Sequence, residues 1–225
     1  MSDDARAAGF FGKVRTHGDF VTRHLPMAFV APWDAWLQRG MRFAQQRFGE
    51  RWLPAYLNAP VWCFALGAGV CGTNAWAGVL MPGVDRVGRY FPFTIAAPFD
   101  ADERAAWLNG AQSWFDGATR AALSTLGDDF ALERFDAVLD APVDTPASWR
   151  FALAGASSGG TFADVLAATV TPGTGAWWSD GSEAVPASLL AGPGLPDPPR
   201  FATLFDPAGD AWPTQVALRV ADSNP

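Results

Sequence analysis

Three stretches of this chain carry residue types at spacings that chemistry uses. In "GASSG", Gly155, Ser157 and Gly159 match a nucleophile elbow, where a serine on a sharp strand-to-helix turn attacks a carbonyl carbon. Such a serine needs a base to take its proton, and in hydrolases built on this turn the histidine follows the serine in the chain. The only histidines, His17 and His24, lie far upstream. The expected reading is therefore a turn and helix cap built from Ser157, Ser158 and Gly160. In "RTHGDF", Asp19 stands two residues after His17, and an acid can orient an imidazole as a base. No nucleophile or metal partner stands at a recognisable spacing, so a loop in which Asp19 caps backbone N–H groups is expected. In "GAGVCG", Gly67, Gly69 and Gly72 have the spacing of a dinucleotide fingerprint, which works only when a helix follows and offers its N-terminus to pyrophosphate. The next residues, "TNAWAGVLMPGV", read as a strand, so a tight hairpin loop is expected.

A fourth stretch, "MPGVDRVGRYFPFTI", sets charges on a turn between two apolar runs. Gly83 and Gly88 supply backbone freedom, while Asp85, Arg86 and Arg89 stay polar. Two guanidinium groups on a tight turn could grip a phosphate or an acidic partner. Equally, Asp85 or a carboxylate elsewhere could hold them as a local ion pair. Both readings stand, because recognition residues are often carried by loops on rigid sheets.

The elements that would position these residues are predicted by composition and pattern. The chain has 225 residues, 49% of them hydrophobic, with 11 tryptophans and 17 phenylalanines, so a large aromatic core is expected. A formal net charge of −7 is the wrong sign for a protein that works by neutralising phosphates, which argues against nucleic acid. Cys63 and Cys71 lack the number for a disulfide scaffold and the spacing of metal ligands, and are expected as reduced structural thiols. With no signal-like N-terminus and no long apolar run, the expectation is a cytoplasmic protein without membrane insertion.

A helix with Pro32 in its first turn is predicted to carry Trp33, Trp36, Leu37 and Met41 on one face and to end at Gly49, followed by a short helical piece stopped by Pro60. "VWCFAL", "AWAGVLM" and "YFPFTIAA" read as three strands in a meander, with Pro92 suggesting an edge position or a bulge. Asp100 and Glu103 have the form of a helix cap, leading into one long helix through Trp107, Phe115 and Ala122. A second helical piece is expected over residues 128–139. "WRFALAG" reads as a strand, "GTFADVLAATV" as a helix, and "GAWWSDGS" and "ASLLAGPGLP" as two final strands. The proline-rich end is expected to offer only a short helix near Phe201–Phe205. No internal repeat or long linker appears, so residues 1–225 are expected to form one domain.

"GFFGKVRTHGDFVTRHLP", "APWDAWLQRGM", "RWLPAYLNAPVWCFAL", "AGVLMPGVDRVGRYFPFTIA", "WWSDGS" and "GLPDPPRFATLF" together resemble the TagF (ImpM) family associated with the bacterial type VI secretion system. The resemblance covers almost the whole chain, most densely from Gly9 to Pro98. It departs at Gly83, where the family usually carries a serine. It implies a three-layer α-β-α sandwich around a mixed, partly antiparallel sheet. It also implies a cytoplasmic protein that restrains the secretion machine post-translationally by engaging a forkhead-associated (FHA) domain scaffold protein. Some members carry a fused PP2C-type phosphatase domain, and none is expected within this chain. No catalytic residue, cofactor or metal is implied, and an activity that is not enzymatic is expected. The partner-binding candidates are Asp85, Arg86, Arg89, His17 and Asp19. The competing expectation is an enzyme, either a serine hydrolase at Ser157 or a phosphate-handling protein using His17, Asp19, Arg86 and Arg89.

Overall fold

The computed structural model describes residues 8–139, 149–154, 161–208 and 211–220. In chain order the elements are β1 (Gly9–Gly12), β2 (Val21–Arg23), α1 (Met27–Phe48), α2 (Trp52–Leu57), β3 (Trp62–Leu66), β4 (Ala75–Met81) and β5 (Phe93–Phe99). They continue with α3 (Arg104–Gly110), α4 (Gln112–Ser124), α5 (Phe135–Leu139), β6 (Phe151–Leu153), α6 (Phe162–Thr169), β7 (Thr174–Gly181), β8 (Pro186–Pro193), α7 (Pro198–Ala202) and β9 (Thr214–Val220). The nine strands form one sheet in the order β2-β1-β5-β4-β3-β7-β8-β9-β6.

The sheet is covered on both faces, and each face follows from the alternation of side chains along a strand. Cys63, Ala65, Ala75, Ala77, Val79, Ala176 and Trp178 face one core with Leu108, Phe115, Phe135 and Phe162 from α3, α4, α5 and α6. Phe64, Leu66, Trp76, Leu80 and Trp177 face the other, with Trp33, Trp36 and Leu37 from α1, Tyr56 from α2 and Phe201 from α7. The predicted three-layer sandwich is therefore present. Strands buried on both sides need apolar residues at every position, which is why β3 and β4 read as continuous apolar runs.

The expectation of a mixed sheet is corrected: every pairing is antiparallel. Short loops reverse the chain between β3, β4 and β5 and between β7 and β8. The longer excursions contain one or more helices and can return the chain at either end of a strand, so no parallel crossover is forced.

Several local expectations also change. The first helix begins at Met27, a turn before Pro32, which lies inside it, and Gly49 ends it at φ 54°. Pro92 stands before β5, an interior strand paired with both β1 and β4. Asp100 caps the turn that precedes α3 by accepting Asp102 N–H at 2.9 Å, and Glu103 makes no capping bond. The single long helix is two, α3 and α4, joined at Ala111. Three strands, β1, β2 and β9, were not expected, and β9 lies beyond the predicted terminal helix. Both cysteines are buried and free, and burial pushes both thiols up, Cys71 to about 12.

Candidate functional site

The β4–β5 connection is a turn held from inside by a carboxylate. Gly88 adopts φ +83°, which closes the turn at little steric cost. Asp85 is 3% exposed. Its Oδ1 accepts the backbone N–H groups of Val87 at 3.0 Å and Arg89 at 2.9 Å, and its Oδ2 accepts Lys13 Nζ and Arg89 Nε, each at 2.6 Å. Burial works to raise the Asp85 carboxyl, but these four donors, Lys13 first, outweigh it and hold the group well below the usual carboxylate range. A charge buried without such partners would be strongly disfavoured, so the ion pair and the turn require each other.

A second loop locks against the first. It runs from Lys13 to Phe20 between β1 and β2, and carries His17 and Asp19. Arg86 N–H donates to the His17 carbonyl at 2.9 Å, and the Arg89 guanidinium donates to the Gly18 carbonyl. Below them, Tyr56 Oη accepts Gly83 N–H at 2.8 Å and donates to Gly83 C=O at 2.9 Å. Gly83 is required for space: a Cβ there would overlap the Phe91 carbonyl oxygen and lie 2.6 Å from that of Lys13.

The candidates predicted from sequence come together in part, and they divide by role. His17, Asp85, Arg86 and Arg89 share the two-loop junction. Asp85 is interior and structural. Arg89 is half committed, its Nε bound to Asp85 while the side chain stays 59% exposed. Arg86 is exposed, and its ordered backbone presents the side chain to solvent. His17 and Asp19 do not form a dyad: His17 Nδ1 lies 2.9 Å from Thr16 Oγ1, and Asp19 Oδ1 accepts Phe20 N–H at 2.8 Å, the capping role expected of it. Ser157 and its "GASSG" neighbours lie outside the described residues. The "GAGVCG" glycines occupy the loop between β3 and β4, with a strand following as expected.

Sequence reasoning missed the apolar part of this surface. Val87 is 66% exposed at the tip of the turn, and Phe20 is 43% exposed while stacking on Phe11 at 5.5 Å and meeting Phe91 edge-on at 4.9 Å. Lys13 Nζ sits 4.6 Å from the Phe20 ring centroid. Exposed aromatic side chains and arginines are residue types enriched at protein interfaces. The only sequence signal was that "GDF" places an aromatic next to a polar loop.

Elsewhere, Arg150 ties α4 to β7 through Asp116 at 2.6 Å and Asp180 at 2.8 Å. Burial works against its charge, but the Asp180 and Asp116 carboxylates more than offset this and raise its pKa. A shallow groove of about 260 Å³ beside α5 is lined by Ser124, Asp129, Phe130, Arg134 and Val138, and none of the predicted site residues reaches it. Among the described residues no helix is long and apolar enough to cross a membrane.

Comparison with known proteins gives this geometry a setting. Residues 9–141 match the family model of the TagF N-terminal domain, described as type VI secretion system-associated. No curated protein matches the chain. The crystal structure of PA0076 from Pseudomonas aeruginosa PAO1 aligns with a TM-score of 0.75 at 38% identity, over 92% of this chain and 98% of that one.

Proposed function

The chain belongs to the TagF family of type VI secretion system-associated proteins, and from that membership we propose that it restrains type VI secretion post-translationally by binding an FHA-domain scaffold protein in the cytoplasm. Its action is binding without bond-making or bond-breaking. The observation that carries this reading is the two-loop junction, which lies within the matched residues 9–141. There a buried carboxylate fixes the backbone of the turn that presents Arg86 and Val87, and Phe20 stands part-exposed at the end of the loop bonded to that turn. Fixing the loop before contact reduces the ordering cost of binding. Arg86 is the contact residue of the arginine pair, and Arg89 supports it.

The test is a titration of the purified chain against an FHA-domain scaffold protein of a type VI secretion system. Arg86→Ala is expected to weaken binding about tenfold, within the range for a central interface arginine, with an unchanged melting temperature. Arg89→Ala is expected to weaken binding and lower the melting temperature as well. Absence of binding by the wild-type chain removes the reading. A screen of esters and phosphoesters, with Ser157→Ala and His17→Ala as controls, tests the non-catalytic part, since turnover abolished by either change would make the protein an enzyme.

A further inference from the structure

The charges of this chain are divided along its length. Residues 1–99 hold ten Lys and Arg against six Asp and Glu, while residues 100–225 hold six against seventeen. The sheet converts this into two unlike faces. Over α1 and α2, four arginines (Arg39, Arg42, Arg47, Arg51) stand against Asp34 and Glu50. Over residues 100–139, which include α3, α4 and α5 on the opposite face, eight acidic side chains stand against three arginines.

On α1 the excess is concentrated and uncompensated. Arg39 and Arg42 are exposed three residues apart, on the side of the helix away from buried Trp36, Leu37 and Met41. The other two arginines have partners, Arg47 with the Ala208 carbonyl at 3.0 Å and Arg51 with Asp206 at 3.5 Å. Asp34, the nearby acid on the helix, accepts Gln38 Nε2 at 2.8 Å. Among the described residues, Arg39 and Arg42 have neither an ion pair nor a side-chain hydrogen bond.

We infer that the Arg39–Arg42 face of α1 docks an acidic surface of the protein partner. The inference rests on the reading that this chain binds the FHA-domain scaffold, and it names a second contact for that complex beyond the β4–β5 turn. Charge complementarity selects the occupant. Guanidinium forks pair with carboxylates in two-point geometry. Exposed Gln38, Gln45 and Gln46 beside them offer neutral amides suited to a mixed protein surface. Nucleic acid, whose binding depends on neutralising many phosphates at once, does not suit two arginines on a chain of net charge −7.

The experiment titrates the purified FHA-domain scaffold at low and high salt with the wild-type chain, Arg39→Glu/Arg42→Glu, and Arg39→Lys/Arg42→Lys. Thermal melts confirm folding, and Arg39→Gln/Arg42→Gln replaces the charge reversal if that variant does not fold. Charge reversal is expected to weaken binding about tenfold or more and to flatten its salt dependence, with the lysine variant between the two. If wild type binds and charge reversal changes neither affinity nor salt dependence, this inference is overturned while the proposed function stands. If wild type does not bind at all, both fall. Self-association, or binding to phosphatidylserine vesicles, that disappears on charge reversal would assign the face to another occupant and also overturn the inference.

Discussion

Asp85 decides whether the candidate surface exists, because four of the bonds that shape the turn and tie it to Lys13 end on its two oxygens. Its carboxyl is held low in the folded protein, so its contribution is fully present above the unfolded carboxylate value, near pH 4, and is lost as pH falls through that range toward the depressed folded value. Asp85→Asn removes the charge and leaves Lys13 buried without its partner, so at pH 7 the urea midpoint should fall clearly below that of wild type. The gap should narrow as pH drops below about 4, because the unfolded wild-type chain then takes up a proton that the folded carboxyl does not. An equal gap at pH 7 and pH 3 would refute this account. The sequence showed Asp85 as a polar turn residue beside two arginines, and that placement holds. Its burial was illegible, because the deciding partner, Lys13, is 72 residues away and meets it only after β1 has paired with β5. Phe20 was likewise invisible as a surface residue, since its exposure depends on how the Lys13–Phe20 loop folds back over Phe11 and Phe91.

At the scale of elements, α1 and α7 approach so closely that only a glycine fits between them. A Cβ at Gly40 would overlap the Phe201 ring, and Trp36 meets the same ring edge-on at 5.0 Å. Trp36 is fixed in turn by its Nε1–H, which donates to the Pro196 carbonyl at 2.8 Å. Gly40→Ala should therefore destabilise the protein by about 1–3 kcal/mol, the usual cost of overpacking, despite the better helix propensity of alanine. A variant as stable as wild type by denaturant unfolding would show that α7 shifts freely. Elements were legible where burial imposes a strong pattern: β3 and β4 are apolar throughout, and α1 repeats its aromatics at helical spacing. β1 was not, because "GFFG" is four residues with glycine at both ends, the composition of a loop, and only pairing with β2 and β5 makes it a strand. β9 was missed for the opposite reason. It lies near the sheet edge and buries little beyond Leu218, so "TQVALRV" carries a weak alternation after a proline-rich stretch. The break between α3 and α4 leaves the helical period almost undisturbed, which is why the two read as one.

At the scale of the molecule, the matched residues 9–141 are structurally incomplete. β3 pairs with β4 on one side and with β7 on the other, so removing the later residues leaves β3 as an open, wholly apolar edge. The core on the α1 face loses Trp177, which stacks on Trp33 at 5.8 Å, together with Phe201, Leu204 and Phe205. The opposite core loses Phe162, Leu166 and Trp178. Both layers draw on both halves of the chain, so residues 1–225 should behave as one cooperative unit, and a fragment ending at Ala141 should not. The full chain is expected to melt in a single transition, whereas the fragment should bind a hydrophobic dye and show no cooperative melt. The two-loop junction lies wholly within the fragment, which separates local from global stabilisation. If the fragment melts cooperatively and keeps native near-ultraviolet ellipticity, the first five strands carry their own fold, and the later strands are an addition to it. If it does not, the Asp85 turn depends on the later half of the chain, which completes the two cores beneath the sheet that carries it.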